Sequence, residues 1–169
     1  MREFFDPSFN YRTTESTKNV VAVGEIIAEK LRDAGIITIH DETIHDYPSY
    51  TGAYERSAET VKSILEENPS IKVVLDIHRD AIGTESSITQ PIVEINGKES
   101  AQVMIISGCD DGTMDMPNYM FNFRFACRLQ EQMESMYPGL TRPLLFDYRR
   151  YNQDLTTGIL THNIHCPLN

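Results

Sequence analysis

The chain is short of cysteine, short of basic residues and without a long apolar run, and each shortage removes a class of protein. Three cysteines, Cys109, Cys127 and Cys166, are too few and too scattered for a disulfide framework. Fifteen Lys and Arg stand against 25 Asp and Glu, a formal net charge of −10. Sequence-independent nucleic-acid binding needs a basic face that displaces counterions, so no nucleic-acid partner is expected. Electrostatic adhesion to anionic membranes is disfavoured for the same reason. No apolar stretch approaches the length of a membrane span, and Met1-Arg2-Glu3-Phe4-Phe5 is not a secretory signal. A glycine-rich phosphate loop, a nucleophile elbow and a paired CxxC are all missing.

What is present is an ordinary globular composition, 40% hydrophobic and 24% charged over 169 residues. That length reads as one domain over 1–169, large enough for a sizeable core. Residues 1–17 open with an irregular lead-in rich in Phe, Tyr, Asn and Pro. A helix is predicted from about Asn19, because Val20, Val23, Ile27 and Leu31 recur at three- and four-residue spacing. Gly35 is its natural stop, and Ile36 to Ile39 read as a short strand. A polar loop follows from His40 to Tyr54, and a second helix from about Tyr54 to Glu67.

The alternation of helix and strand predicts an α/β fold. A mixed, mainly parallel sheet is expected, flanked by helices. Further strands are predicted at Pro91–Ile95 and Ala101–Ser107, paired as a hairpin by Asn96-Gly97. A third helix is expected from Asn118 to Tyr137, with Phe121, Phe125, Leu129, Met133 and Met136 inward. Arg124, Arg128, Gln130 and Glu134 then face outward, and Cys127 reads as a small core residue. Pro143 to Phe146 completes the predicted strands.

Chemistry concentrates in four polar clusters. In Val73-Val74-Leu75-Asp76-Ile77-His78-Arg79-Asp80, an aliphatic run ends abruptly in charged residues. Such a run reads as a buried strand, and open α/β sheets place ligands beyond the carboxyl ends of their strands. The strand period of two puts Asp76, His78 and Asp80 on one face and Arg79 on the other. His78 is then a metal ligand, an acid–base group or a capping histidine, and the pattern leaves these readings open. The second cluster, His40-Asp41-Glu42-Thr43-Ile44-His45-Asp46, offers imidazoles and carboxylates of the kind zinc takes, or is simply a solvated loop.

The third cluster is Tyr50 to Ser57. Arg56 lies in the first turn of a helix, where the dipole favours anions, so it either holds a carboxylate or is a surface arginine. The fourth, Arg149-Arg150-Tyr151-Asn152-Gln153-Asp154, follows the last predicted strand and is placed to line the same cleft. His162-Asn163-Ile164-His165-Cys166 has a superficially metal-like spacing without a matching second pair.

Several of these segments, in this order and spacing, resemble the stage II sporulation protein P family. They are Asn19-Val20-Val21-Ala22-Val23-Gly24, His40-Asp41, His45-Asp46-Tyr47-Pro48-Ser49-Tyr50, Tyr54-Glu55-Arg56-Ser57, Asp76-Ile77-His78-Arg79-Asp80, Ala101-Gln102-Val103-Met104 and Arg150-Tyr151-Asn152-Gln153. The likeness runs over roughly residues 11–160. It implies a peptidoglycan hydrolase of forespore engulfment with an amidase-like three-layer fold. The family's expected activity is zinc-dependent N-acetylmuramoyl-L-alanine amidase, with endopeptidase cleavage of cross-links beside it. Expected partners are peptidoglycan glycan and stem peptide and the stage II sporulation proteins D and M. The expected location is extracytoplasmic, between mother cell and forespore, held by a membrane anchor that this chain does not carry.

By the same resemblance, His78 stands at the family's downstream zinc-binding histidine. Arg56, Arg79, Asp80 and Asn152 are placed as substrate-binding or supporting residues. Two of the family's features find no match in these residues. A His-Thr-His segment supplies the first zinc ligand ahead of the Asn19 motif, and a catalytic glutamate follows the Gly158-Ile159-Leu160 segment. Here the chain opens close to Asn19 and continues as a divergent tail, 161–169, with no glutamate after Glu134. No catalytic residue is therefore assigned, Glu15 and Glu25 are the nearest glutamates to a ligand position, and the chain is expected to be a fragment incomplete for catalysis. A catalytically inactive module that binds peptidoglycan or partner proteins is the alternative expectation.

Overall fold

The computed structural model describes residues 13–79, 82–84, 87–89 and 91–164, with the side chains of 82–89 and 162–164 left aside. A 3-10 turn, Ser16–Lys18, leads into helix α1, Val20–Asp33, whose Asn19 cap accepts a hydrogen bond from the Val21 N–H. Helix α2 is Ala53–Glu67 and strand β1 is Val74–Arg79. Two hairpins follow, β2 (Ile82–Thr84) with β3 (Ser87–Thr89), and β4 (Ile92–Ile95) with β5 (Lys98–Ala101). Strand β6, Val103–Gly108, helix α3, Tyr119–Met136, and strands β7, Leu145–Asp147, and β8, Ile159–Ile164, complete the order.

The main sheet runs β1-β8-β6-β7. β1 with β8 and β6 with β7 are parallel, and β6 with β8 is antiparallel. The fold is thus α/β with a mixed, mainly parallel sheet. In register, Leu75 lies beside Leu160 and Asp76 beside Thr161. Paired residues share a face, so Leu75, Ile77 and Arg79 point to the side of Leu160 and Ile105, while Asp76 and His78 point to the other. The first face carries α3: Ile105, Leu160 and Ala126 are fully buried together, with Phe125, Leu129, Met133 and Leu144 packed around them. Removing such aliphatic side chains from water contributes about 1.5–3 kcal/mol each.

Several expectations are corrected. Ile36–Ile39 is in no ladder. The end of α1 closes as a Schellman motif, Gly35 N–H to Arg32 O and Ile36 N–H to Leu31 O, which turns the chain back along the helix. Arg32 Nε then donates to Thr38 O, and His40 meets Glu25. Helix side chains hold this segment in place of a neighbouring strand, leaving Ile37 99% exposed.

The Asn96-Gly97 turn, with both residues at positive φ, pairs β4 with Lys98–Ala101. Gln102 turns the corner, and Val103 onwards leaves the hairpin for the main sheet. On α3, Phe121, Cys127 and Met136 are exposed. The inward line is Asn122, Phe125, Ala126, Leu129 and Met133, because the Asn122 amide is used inside. Gln130 and Glu134, expected outward, reach the following loop. Gln130 donates to Arg142 O, and Glu134 accepts from Gly139 N–H, Thr141 N–H and the Thr141 hydroxyl. Residues 159–164 form a central strand that the sequence pattern did not announce.

Candidate functional site

His78 lies near the carboxyl end of β1 on the face opposite α3. Its Nε2 is 2.9 Å from Asp76 Oδ1, two residues back on the same face. A carboxylate so placed fixes the ring plane and the tautomer of an imidazole. Tyr54, in the first turn of α2, stacks on the imidazole with ring centroids 6.1 Å apart and planes 15° from parallel. Tyr151 meets Tyr54 at 5.2 Å between ring centroids. Burial pushes the Tyr54 phenol well above its ordinary value, with the neighbouring tyrosines adding to the shift, so it stays protonated.

The loop that brings Tyr151 is conformationally unusual. Tyr151 and Asn152 both have left-handed backbone, φ 41° and 58°. For side chains other than glycine this costs about 1–2 kcal/mol per residue. Fixed contacts offset that cost. Asn152 Nδ2 donates to Tyr54 O at 3.1 Å, and Arg149 Nη1 donates to the Tyr151 hydroxyl at 2.6 Å. Arg150 grips Asp154 with two hydrogen bonds, and its guanidinium holds that carboxyl below the usual range. Gln153 is fully buried: it accepts from Gly108 N–H and donates to Ile106 O and Thr161 Oγ1. Residues 149–154 are therefore pinned to the sheet from beneath and present Tyr151 above it.

Of the residues singled out in the sequence, the structure brings together Asp76, His78, Tyr54, Tyr151 and Asn152. Arg79 is on the other face of β1, and Asp80, His165 and Cys166 lie outside the described residues. Among the described residues, Arg56 meets no carboxylate. It donates to the backbone carbonyls of His45, Ser49 and Thr51 and so shapes the loop before α2. His45 is hydrogen-bonded to Thr60 at 2.9 Å. Glu15 is exposed and paired with Lys18.

His40 is elsewhere, with Nδ1 2.6 Å from Glu25 Oε2, while Arg32 holds Glu25 Oε1 at 3.1 Å. Hydrogen bonding to His40 first, with Arg32 adding, keeps the Glu25 carboxyl below its ordinary range. Among the described residues, one group of three metal-ligating side chains converges: Glu25, His40 and Glu42. His78 is not in it. A catalytic zinc takes three protein ligands and one open position, so the described residues around His78 do not by themselves fit that ion.

The pattern of the family described as stage II sporulation protein P matches residues 1–160. The chain belongs to the stage II sporulation protein P family. Stage II sporulation protein P of Bacillus subtilis (strain 168) is 30% identical over 156 residues, covering 86% of this chain and 37% of that protein. The chain thus spans little more than a third of that relative's length. No solved structure matches. No helix among the described residues is long and apolar enough to cross a membrane.

The family match ends at residue 160, yet strand β8 runs on to Ile164. The sequence named Tyr54, Tyr151 and Asn152 but did not show them meeting, because 98 residues separate Asn152 from Tyr54. It missed Gln153 as the buried clamp. A glutamine within a run of charged residues gives no sign of burial.

Proposed function

We propose that the chain is a peptidoglycan hydrolase domain of endospore formation: an N-acetylmuramoyl-L-alanine amidase, with cross-link endopeptidase cleavage as a companion activity. It would act during forespore engulfment, outside the cytoplasm, beside stage II sporulation proteins D and M. The observation that carries this reading is the family match combined with an oriented imidazole, His78, at the carboxyl end of a sheet strand. The side chains around His78 suit a glycopeptide. Tyr54 and Tyr151 offer aromatic faces for sugar rings, and Asp76, His78 and Arg149 offer polar groups for amide and carboxylate. Asp76 holds the imidazole in plane, Tyr54 covers one side of it, and Asn152 fixes the Tyr54 backbone.

Zinc is the cofactor this reading calls for, with His78 as one ligand. The described residues supply no second and third ligand beside it. That mismatch favours a second reading, a module that binds peptidoglycan without cleaving it. Incubation of purified sacculi with the chain and zinc separates the two. The amidase reading expects new L-alanyl amino termini that disappear in His78→Ala. The binding reading expects co-sedimentation with sacculi and no new termini. A chain that neither binds nor cleaves overturns both.

A further inference from the structure

We propose that Glu25, His40 and Glu42 form a binding site for a divalent transition-metal ion, separate from His78. One ligand atom from each of Glu25, His40 and Glu42 lies within 4.8 Å of the others, and His40 Nδ1 is 2.6 Å from Glu25 Oε2. Zinc binds imidazole nitrogen and carboxylate oxygen at about 2.0–2.2 Å, so an ion here requires the 2.6 Å His40–Glu25 contact to open while Glu42 makes a small inward movement. Glu42 is exposed and free to make it.

The imidazole sets this group apart from a plain acidic patch. Its side chain is only 13% exposed, in a loop whose neighbours are largely open to solvent. The ring lies directly on α1 over Gly24, where a Cβ would come within 2.6 Å of His40 Nε2. A glycine in mid-helix costs about 0.5–1 kcal/mol relative to alanine, and here its missing side chain is the seat of the ring. With Nε2 turned to the helix, Nδ1 faces the Glu25 carboxylate. Arg32 engages Glu25 through Oε1, the oxygen away from His40, and so orients the carboxylate without occupying Oε2.

One nitrogen and two carboxylates suit zinc, manganese or iron(II). Copper(I) prefers thiolates, and calcium takes six to eight oxygens. Two negative charges match a dication, and water completes the coordination. Binding would replace the proton shared by His40 and Glu25 with a metal that also recruits Glu42. The stretch from Ile36 to Glu42, tied to α1 through Leu31, Arg32 and Glu25, would then be clamped to the helix.

The test uses the whole chain stripped with a chelator and titrated with zinc chloride by calorimetry, with X-ray absorption to read the ligands. One equivalent of zinc is expected at this site, bound through nitrogen and oxygen, apart from any ion held through His78. Both His40→Ala and Glu42→Gln should weaken it by at least about tenfold, and His78→Ala should leave it unchanged. Zinc should also raise the melting temperature of the wild-type chain and of His78→Ala but not of Glu42→Gln. Glu42 is exposed, so Glu42→Gln keeps the fold and the comparison stands. No binding by the wild-type chain, binding indifferent to both ligand substitutions, or binding lost only in His78→Ala would each overturn the proposal.

Discussion

The Tyr54 ring lies almost parallel to the imidazole of His78, with 6.1 Å between centroids, although the two belong to different elements. Asn152, on a third segment, holds the Tyr54 carbonyl. The orientation of His78 therefore rests on three parts of the chain. Replacing Tyr54 by Ala should shift the His78 ring resonances in a proton NMR spectrum as the aromatic shielding is lost. Tyr54→Phe should leave them in place. The alanine change should also cost about 1–2 kcal/mol of stability. Unshifted imidazole signals in Tyr54→Ala would show that the stacking does not persist in solution.

Gln153 is the buried link between β6, β8 and the loop that carries Tyr151. Its removal strands the Gly108 N–H and the Ile106 carbonyl in the interior. Each stranded group costs about 1–3 kcal/mol, so Gln153→Ala should lose at least about 2 kcal/mol in urea unfolding. A loss below about 1 kcal/mol would mean that water reaches these groups.

Two glycines are required by close approach. A Cβ at Gly108 would lie 2.1 Å from the Arg149 carbonyl, and one at Gly158 would lie 2.3 Å from that of Lys72. Backbone does not give way as a side chain does. Either substitution to Ala should destabilise by more than about 2 kcal/mol, whereas Gly112→Ala should lose only what its positive φ of 95° costs. Comparison of the three melting temperatures checks this order.

Asp154 carries a pH dependence. Its carboxyl is held below the ordinary range by Arg150, so the folded state binds this proton less readily than the unfolded chain. The stabilisation is present above the unfolded value, about pH 4, and is lost as pH falls through the lower folded value. Urea midpoints at pH 6 and pH 3 should therefore differ more for the wild-type chain than for Asp154→Asn. Equal differences would mean that the Arg150 pair contributes nothing.

Periodicity revealed the helices and the strand bearing His78 because each is a local pattern: apolar residues at helical spacing in α1 and α2, and an aliphatic run in β1. It failed where tertiary contacts decide. Ile36–Ile39 has the composition of a strand, yet Arg32 and Glu25 tie the segment to α1. Phe121 fits an apolar stripe, yet the inward place goes to Asn122, whose amide bridges Gln153 and Ile159. β8 was hidden because Thr161, His162 and Asn163 carry no alternating apolar pattern. Its place in the sheet comes from its neighbours β1 and β6. At the site, residue types were legible, but the meeting of Tyr54, His78 and Tyr151 was not. The same holds for the approach of His40 to Glu25, for which Gly24 was the one local sign.

Ile37 offers a check on that correction. It is 99% exposed in a segment outside the sheet, so Ile37→Lys should change stability by less than about 0.5 kcal/mol. Were Ile36–Ile39 a strand of the sheet, the loss would be several times larger.

The most direct test is co-sedimentation of the purified chain with peptidoglycan sacculi, since hydrolysis and simple binding both require that contact. The wild-type chain should pellet with sacculi. Tyr54→Ala and Tyr151→Ala, checked for folding by circular dichroism, should remain several-fold more in the supernatant. A wild-type chain that stays in solution, or variants that pellet equally well, would contradict the assignment of the Tyr54–His78–Tyr151 site to peptidoglycan.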